Sequence, residues 1–490
     1  MSRSTVPAPD DYWQHYPDAY RAQEARTIAA WLAAGESGVI VGLSGAGRAT
    51  LLSFLCHRPD VLQSLLAPYK RQVVLAPVDL INLPDNTLAT LYRAILRSFY
   101  EVSCRFDRSL QLHIRDLYRK TETARDPFLP QSALRELLLS LEAEEIRIGL
   151  IFDRFDRFCQ TATVRMTNTL RGLRDSFKET LCYLVSLPQE IQYLPQWESL
   201  SPLQGILDTH TCWVGPLCAA DARYMIAHRT RHLPESLTEP VIARMLAITG
   251  GYPSLLRVVC DWWTVGETAV TPPRFHTPAD WEAALLRQQN TQHRLGEIWH
   301  GLTQEEQLVL SELQKWQTQP AVDQEDKRRH PQAPPQPAIQ RHELLPCLGA
   351  KGVCYQRENG VWGVNGRLLN AYVAQVAGRS RGKIWLDVTG DVYQGTARID
   401  NLPPLERAVL HFLIQHPQKR HTHTDLIEAA WPDDVLKEGV STETLYQTIR
   451  GIRKKIEPQP SNPYYILNWR GQREGGYHFF PEGRPGGTAA

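Results

Sequence analysis

Short apolar runs alternate with segments of helical periodicity over residues 15–218. The first helical segment, "AYRAQEARTIAAWLAAGES", ends at Gly35. The runs predicted to be strands are Gly38 to Val41, "RQVVLAPVDL" (Arg71 to Leu80), "IRIGLIFDRFDRF", "TLCYLVSLPQE" and "HTCWVGPL". Strands that alternate with helices in this way predict a mainly parallel, three-layer α/β sheet.

Helical periodicity continues from about Ala219 to Val265, with a break at "TGGYPSLL", and returns in "LTQEEQLVLSELQKW". The stretch after it, "QTQPAVDQEDKRRHPQAPPQPAIQRH", is rich in Gln, Pro and charge, so it is predicted to be a flexible insertion. A helix, a two-stranded hairpin and a second helix are predicted in "HELLPCLGAKGVCYQRENGVWGVNGRLLNAYVAQV". Together with the helix before the insertion, these elements suggest a winged-helix-like unit without a comparable basic helix.

The pattern near the C-terminus predicts three helices followed by two strands. One helix runs from about Pro404 to a stop at Pro417, and a second from about Thr424 to Trp431. The third begins at Ser441, a good N-cap residue. Its apolar positions recur at helical spacing and are Leu445, Ile449, Ile452 and Ile456. With the strands "YYILNW" and "GYHFF" behind it, this order predicts a winged helix-turn-helix.

The fold class is therefore a multidomain α/β plus α+β chain: a parallel-sheet core with a helical lid, a winged-helix-like unit and a C-terminal winged helix-turn-helix. The predicted boundaries are an N-terminal arm (1–14), the α/β core (15–218), the lid (219–300), the winged-helix-like unit (301–376) with its insertion (317–342), a linker (377–382), the C-terminal winged helix (383–481) and a disordered tail (482–490).

The composition is typical of a soluble globular protein and does not indicate a particular binding partner. Hydrophobic residues make up 42% and charged residues 22% of the chain, as in soluble globular proteins. The net charge is +1, so any nucleic-acid surface must be local. No stretch reaches the roughly 18 apolar residues of a membrane span, and the N-terminus has no signal-peptide core. We therefore expect a cytoplasmic protein that does not contact membranes.

Cysteine and histidine patterns do not indicate a metal site. The nine cysteines contain no CxxC pair, so buried, reduced thiols are expected. The alternating histidines of "HTHTD" (His421 to Asp425) precede a helix and are expected to form an exposed turn. The aromatic cluster "DYWQHYPDAY" is expected to be a packing arm.

The stretch "VIVGLSGAGRATLLSFL" has the strand, glycine-rich turn and helix of a phosphate-binding loop. The three glycines would let backbone N–H groups at the helix N-terminus bind a phosphate; they are Gly42, Gly45 and Gly47. The pattern G-x-x-x-x-G-K-[ST], however, places Arg48 and Ala49 where lysine and Ser/Thr belong.

Further candidate residues for the nucleotide site lie on the helix that follows the loop and at the ends of the next strands. Thr50 is one position late for a Mg²⁺-binding hydroxyl, since one helical residue turns it by about 100°. In "IGLIFDRFD", Asp153 is the candidate Mg²⁺ carboxylate, but Arg154 stands where a water-polarising glutamate is usual. Ser186, at the end of the fourth strand, is a candidate sensor residue.

This order of motifs resembles the STAND group of AAA-related ATPases, over about residues 15–375. The resemblance rests on "GLSGAGRATLL", "LIFDRFD", "WVGPL" and "TGGYPSLLRVVC", in which Pro253 matches the proline that would touch the base or the lid. It implies ATP or ADP, with or without Mg²⁺, as a cofactor for a conformational switch, and self-association or protein partners. Three readings stay open: a relic loop, nucleotide binding without efficient turnover, and a working ATPase that uses Asp153 and Thr50.

Residues 383–481 resemble the OmpR/PhoB-type effector domain of response regulators. The run "LYQTIRGIRKKIEP" resembles its recognition helix, "WRGQREGGYHFF" its wing, and "KIWLDVTGDVYQGTARI" its N-terminal sheet. The wing turn is about two residues longer than the family pattern. The resemblance implies double-stranded DNA as partner, and the candidate contacts are Tyr446, Gln447, Arg450, Arg453, Lys454, Arg470 and Arg473.

The leading hypothesis is a DNA-binding regulator with a degenerate STAND-like module that senses a signal or self-associates. Because Arg48, Ala49 and Arg154 fall on the essential positions, hydrolysis is expected to be weak or absent, and an enzymatic role stays uncertain. The alternative is a non-catalytic adaptor of a larger nucleoprotein complex, such as a defence or mobile-element complex. There the winged helix would be a protein-docking surface, and an inert helix face is a third possibility.

Overall fold

The computed structural model describes residues 9–194, 200–233, 236–267, 278–318, 342–358, 360–379, 382–387, 389–395, 397–399, 401–431, 441–457, 460, 463–471 and 475–484. It divides into two compact units. The first comprises Met1–Gly301, Pro346–Tyr355 and Asn365–Leu368, and the second comprises Leu302–Leu345, Gln356–Val364 and Leu369–Ala490.

A five-stranded parallel sheet forms the centre of the first unit. Its strands are β1 (Gly38–Val41), β2 (Gln72–Pro77), β3 (Ile146–Phe152), β4 (Leu181–Leu187) and β5 (Thr211–Trp213), in the order β2-β3-β4-β1-β5. All four interstrand pairings are parallel. β1, β3 and β4 are buried along their whole length, which is why they read as continuous apolar runs. The predicted parallel α/β core is confirmed.

Helices flank this sheet, and strand alternation decides which side chains meet them. The helices before the lid are α1 (Pro9–Gln14), α2 (Ala22–Ala34), α3 (Arg48–His57), α4 (Pro59–Leu66), α5 (Leu88–Glu101), α6 (Arg108–Thr121), α7 (Phe128–Ala143), α8 (Phe155–Thr161), α9 (Val164–Ser176) and α10 (Gln204–Leu207). Val39 and Val41 belong to the apolar cluster built with α5–α9. Ile40, between them, therefore points to the opposite face.

The region predicted as a lid is helical. Its helices are α11 (Ala219–Thr230), α12 (Glu239–Thr249), α13 (Pro253–Glu267), α14 (Pro278–Leu286) and α15 (Gln289–His300). The predicted break lies between α12 and α13, where Gly250 and Gly251 have φ angles of 63° and 74°. Such backbone favours glycine, and Pro253 then starts α13, where its missing N–H costs nothing.

The next segment contains the elements expected for a winged-helix-like unit. They are α16 (Gln304–Thr318), α17 (Leu345–Ala350), β6 (Cys354–Gln356), β7 (Trp362–Val364) and α18 (Arg367–Arg379). The core of the predicted insertion, residues 319–341, lies outside the described residues. That these elements form one unit stays a prediction.

The C-terminal region is a winged helix preceded by a small sheet. It contains β8 (Ile384–Leu386), β9 (Val392–Gln394), β10 (Ala397–Arg398), α19 (Pro404–Gln415), β11 (Arg420–Thr422), α20 (His423–Ala430), α21 (Thr442–Ile456), β12 (Ile466–Arg470) and β13 (Gly475–Phe479). β8–β10 form one antiparallel sheet, and β11, β13 and β12 form another in that order. The predicted three helices and wing strands are confirmed.

The expectation of an exposed turn at His421–Asp425 is wrong. His421 lies in β11 opposite Tyr477 of β13 and is only 7% exposed. Its Nε2 lies 3.2 Å from the carbonyl oxygen of His416. The following residues start α20 with a capping box, in which Thr422 and Asp425 each accept a hydrogen bond from the other's backbone N–H. His421 and the residues after it are thus part of the secondary structure of the C-terminal domain.

The aromatic arm packs as expected, whereas the cysteine prediction is only partly right. Trp13 stacks on His57 at 5.4 Å, and Tyr16 contacts Phe54 at 6.0 Å. All nine cysteines are free thiols and six are buried, but Cys104 and Cys218 are exposed. Within the described ranges, no helix combines the length and the apolar character that a membrane crossing requires.

Candidate nucleic-acid interface and phosphate loop

The amphipathic helix α21 presents one polar face to solvent. Ser441 caps it, with its Oγ accepting a hydrogen bond from the Thr444 N–H at 3.4 Å. The apolar positions predicted from the sequence are all buried: Leu445, Ile449, Ile452 and Ile456. Their burial fixes the rotation of the helix, so that the opposite face is available for contacts outside the domain.

Four of the predicted DNA-contacting residues are exposed on that face. Tyr446 is 42% exposed, and Gln447, Arg450 and Lys454 are also exposed. Tyr446, Arg450 and Lys454 follow one another at i, i+4 spacing and therefore form one stripe along the helix. The Gln447 side chain donates a hydrogen bond to Glu443 Oε1 at 2.9 Å.

A groove of about 790 Å³ lies between this stripe and the wing strands, and we call it the winged-helix groove. Its walls carry the cations of α21 together with polar and aromatic side chains of neighbouring elements. The sequence reasoning missed three of the residues that line it, which are His423, Asn468 and Trp469. His423 had no sequence signal beyond its place in "HTHTD", and the two wing residues lie within a strand.

Arg453 differs from the other predicted contacts because its guanidinium is engaged inside the domain. Its Nη2 donates hydrogen bonds to the Ile466 carbonyl oxygen at 2.6 Å and to Asn468 Oδ1 at 2.7 Å. The guanidinium also lies 5.6 Å from the centre of the Tyr477 ring. Burial lowers the pKa of Arg453, and Tyr477 and Glu457 oppose that shift. The structure thus separates Arg453, which joins α21 to the wing, from the exposed stripe.

The start of the wing is organised by a buried carboxylate that sequence reasoning did not find. Glu457 accepts hydrogen bonds from three consecutive backbone N–H groups, at 2.5 Å, 3.0 Å and 2.8 Å; the donors are Tyr464, Tyr465 and Ile466. At the wing tip, the backbone of Arg470 ends β12, but its side chain and all of Arg473 lie outside the described residues.

In the first unit, the predicted phosphate-binding loop connects β1 to α3. Gly45 and Gly47 have φ angles of 77° and 95°, which favour glycine. A Cβ on Gly42 would lie 2.5 Å from the Val214 carbonyl oxygen, and one on Gly45 would lie 2.3 Å from Ser254 Oγ. No side chain caps α3, so its first N–H groups remain free to meet an anion.

Arg21 is hydrogen-bonded to this loop, and the sequence pattern did not identify it as a candidate residue. Its Nη2 donates hydrogen bonds to the carbonyl oxygens of Ala46, at 2.6 Å, and Gly215, at 2.9 Å. Its Nη1 donates to Glu24 Oε1 at 2.7 Å, and its backbone N–H donates to Asp221 Oδ2 at 3.0 Å. Arg21 therefore ties the loop to the segment that follows β5.

The residues at the substituted positions lie beside the loop. Arg48 begins α3, and its Nη1 is buried without a hydrogen-bond partner among the described residues. Burial lowers the pKa of Arg48, whereas the carboxylates of Asp153 and Asp156 oppose that shift. Ala49 is exposed. Arg154 is also exposed, has a φ of 49°, and donates its backbone N–H to Asp153 Oδ1 at 2.9 Å.

Two further predicted residues lie close to the loop. Ser186 pairs in register with Ile40 of β1, is fully buried, and has an Oγ without a partner in the described structure. A Cβ on Gly47 would lie 3.6 Å from Pro253 Cγ. The neighbouring Ser254 N–H donates to the Gly45 carbonyl oxygen at 3.1 Å.

Comparisons with known proteins assign the C-terminal domain. Residues 400–479 match the family described as "Transcriptional regulatory protein, C terminal". The alkaline phosphatase synthesis transcriptional regulatory protein SphR of Synechococcus elongatus is 36% identical over 70 residues, which are 14% of this chain and 26% of that protein. The match thus spans about a quarter of that relative's length. It confirms the expected OmpR/PhoB-type domain.

Solved structures that are similar to the chain have low sequence identity to it. The ORC2 protein of Aeropyrum pernix has a TM-score of 0.35 at 13% identity, covering 76% of this chain and 96% of that one. A Walker-type ATPase of Pyrococcus abyssi has a TM-score of 0.41 at 13% identity, covering 72% and 95%.

Proposed function

We propose, from the premise that residues 400–479 form a transcriptional regulatory C-terminal domain, that this chain is a DNA-binding regulator. The observation that carries the proposal is the exposed stripe Tyr446, Arg450 and Lys454 on a helix whose other face is buried. In this proposal, residues 383–481 bind DNA, and the core and lid of residues 15–300 control that binding.

The chemistry of the stripe suits double-stranded DNA. An arginine can pair bidentately with guanine in the major groove, and glutamine with adenine, which suits Arg450 and Gln447. Lys454, one turn beyond Arg450, suits a phosphate contact, which adds affinity but no sequence preference. Arg453 holds the geometry of the groove and does not contact a base.

The first unit is proposed to bind an adenine nucleotide and to hydrolyse it weakly or not at all. Support for binding comes from the glycine loop, the uncapped start of α3 and the buried, unpartnered Nη1 of Arg48. Support for poor hydrolysis comes from Arg154, because a guanidinium cannot act as the base that orients an attacking water. Self-association of the chain is part of the same proposal.

The DNA-binding proposal is tested by fluorescence anisotropy of the full chain with labelled genomic fragments across a salt series. Arg450→Ala should weaken binding to a preferred fragment by about 1–3 kcal/mol. Arg407→Ala is the matched control, since Arg407 is an exposed arginine on α19 that does not line the winged-helix groove. Equal losses in both variants would indicate non-specific charge attraction only.

The nucleotide proposal is tested by phosphate release from ATP beside binding of ATP and ADP by calorimetry. We expect the chain to bind nucleotide. We expect its turnover number to lie far below the range of about 1–10³ s⁻¹ that is typical of enzymes. Turnover within that range that depends on Asp153 would instead make the chain a working ATPase. The matched variants for this assay are Asp153→Asn and, on the exposed side of α8, Arg157→Ala.

A further inference from the structure

The P-loop fold implies a nucleotide together with Mg²⁺, and the residues of this loop fit the two groups differently. The nucleotide phosphates fit, because the loop offers glycine backbone and the free N-terminus of the ten-residue helix α3. Mg²⁺ does not fit. Ala49 has no hydroxyl to offer the ion, and Thr50 is turned about 100° from the position where the hydroxyl is needed.

We propose that this loop binds the diphosphate of a nucleotide without a divalent cation, with the Arg48 guanidinium supplying the positive charge that a lysine and Mg²⁺ supply together in the ordinary pattern. The inference rests on the proposed nucleotide binding and adds the electrostatic means by which it occurs. A guanidinium is permanently charged and has five N–H donors in a planar fork, so one residue can contact more than one phosphate oxygen.

The surroundings of Arg48 support this assignment. Its Nη1 is buried and lacks a partner among the described residues, so a buried donor is left unsatisfied in the absence of an anion. The carboxylates whose charges act on Arg48 are Asp153 and Asp156. The carboxylate of Asp153, the residue expected to hold Mg²⁺, therefore lies close enough for its charge to act on a cation that the chain itself provides.

A second, independent group near the loop lacks a partner. Ser186 is 0% exposed, and its Oγ has no hydrogen-bond partner in the described part of the chain. It pairs with Ile40, two residues before Gly42. Val185 and Leu187 face the apolar cluster of α5–α9, so strand alternation places Ser186 on the opposite face of the sheet, with Ile40. A buried hydroxyl without a partner at this end of β4 suits a phosphate oxygen as acceptor.

The test is calorimetric titration of the full chain with ADP, once in excess Mg²⁺ and once in excess EDTA. Wild-type affinity should agree within about twofold between the two conditions, and Arg48→Ala should lose at least about tenfold in EDTA. The double variant Arg48→Lys with Ala49→Thr restores the ordinary pattern. It should bind ADP at least about tenfold more tightly with Mg²⁺ than without. The melting temperature of each variant relative to wild type, followed by circular dichroism, serves as the check on folding.

The outcomes separate this inference from the proposed function. If wild-type binding falls about tenfold or more in EDTA, the chain binds nucleotide, but the metal-free assignment of Arg48 is wrong. Wild-type affinity in EDTA that survives Arg48→Ala would also overturn it. If neither condition shows ADP binding to any variant, nucleotide binding itself is refuted and the inference falls with it.

Discussion

The Nη2 atom of Arg453 lies 2.7 Å from Oδ1 of Asn468, so a residue of α21 is hydrogen-bonded to a residue of the wing. The same nitrogen also donates to the Ile466 carbonyl oxygen. Helix and wing form the two walls of the winged-helix groove, and their separation is set by these contacts. An arginine that sequence periodicity places among the DNA contacts is therefore a determinant of groove shape.

Replacing Arg453 by alanine should loosen the wing, because hydrogen bonds to charged groups contribute about 1.5–3 kcal/mol each. We expect faster amide hydrogen exchange in β12 (Ile466–Arg470) and weaker DNA binding. Arg450→Ala, which removes an exposed guanidinium on the same helix, should leave the exchange of β12 unchanged. Equal exchange rates in both variants would refute the joining role of Arg453.

The stability of the C-terminal domain should depend on pH through Glu457. Burial raises the pKa of this carboxyl above its usual 4.5, although three backbone N–H groups and Arg453 oppose the increase. Since the folded state binds this proton more tightly, the stabilisation is complete below the unfolded pKa and is lost as pH rises through the folded pKa.

The comparison of wild type with Glu457→Gln isolates this effect, because the other titrating groups contribute equally to the pH dependence of both proteins and their contributions cancel. The melting temperature of the variant relative to that of wild type should rise between about pH 4 and about pH 7. Thermal unfolding followed by circular dichroism across that range provides the measurement. A difference that stays constant or falls with pH would contradict the assignment.

Removing the Arg21 guanidinium should destabilise the first unit. Arg21→Ala leaves the carbonyl oxygens of Ala46 and Gly215 without this donor, each hydrogen bond to a charged group being worth about 1.5–3 kcal/mol. Arg26→Ala is the control, because Arg26 is an exposed arginine on α2, the helix that Arg21 immediately precedes. Thermal unfolding should show a lower midpoint for the Arg21 variant alone. Equal midpoints in the two variants would exclude the role of Arg21 in holding the loop.

Thiol labelling should distinguish exposed from buried cysteines. Burial raises the pKa of Cys56, Cys159 and Cys212 to about 12, so these thiols should react slowly in the native protein. The exposed Cys104 and Cys218 should react first with Ellman's reagent, and a double serine variant should lose that fast phase. A fast phase that persists in the double variant would show that another thiol is accessible.

Periodic patterns in the sequence predicted most of the fold, because they record burial directly. Leu445 and Ile452 recur at helical spacing, and both are fully buried in α21. The three-residue strand β11 escaped prediction, since so short a segment carries no period. Its existence depends on pairing His421 with Tyr477, which lies 56 residues further along the chain.

The site was predicted in part, for a related reason. The glycines of the loop and the residue types of α21 are visible in local sequence. The partners of Arg21 are not, because Ala46 and Gly215 lie 25 and 194 residues away. Helical spacing likewise places Arg453 on the polar face but cannot show that a wing carbonyl will reach it. Long-range hydrogen bonds thus decide which polar residues are free to bind.

The most direct test of the central claim is selection of genomic DNA fragments by the full chain, repeated with Arg450→Ala and with the control Arg407→Ala. The account predicts that wild type and Arg407→Ala enrich the same sequence, whereas Arg450→Ala loses the preference at one base position. If wild type enriches no sequence, or if Arg450→Ala enriches the same one unchanged, the exposed stripe of α21 does not read DNA.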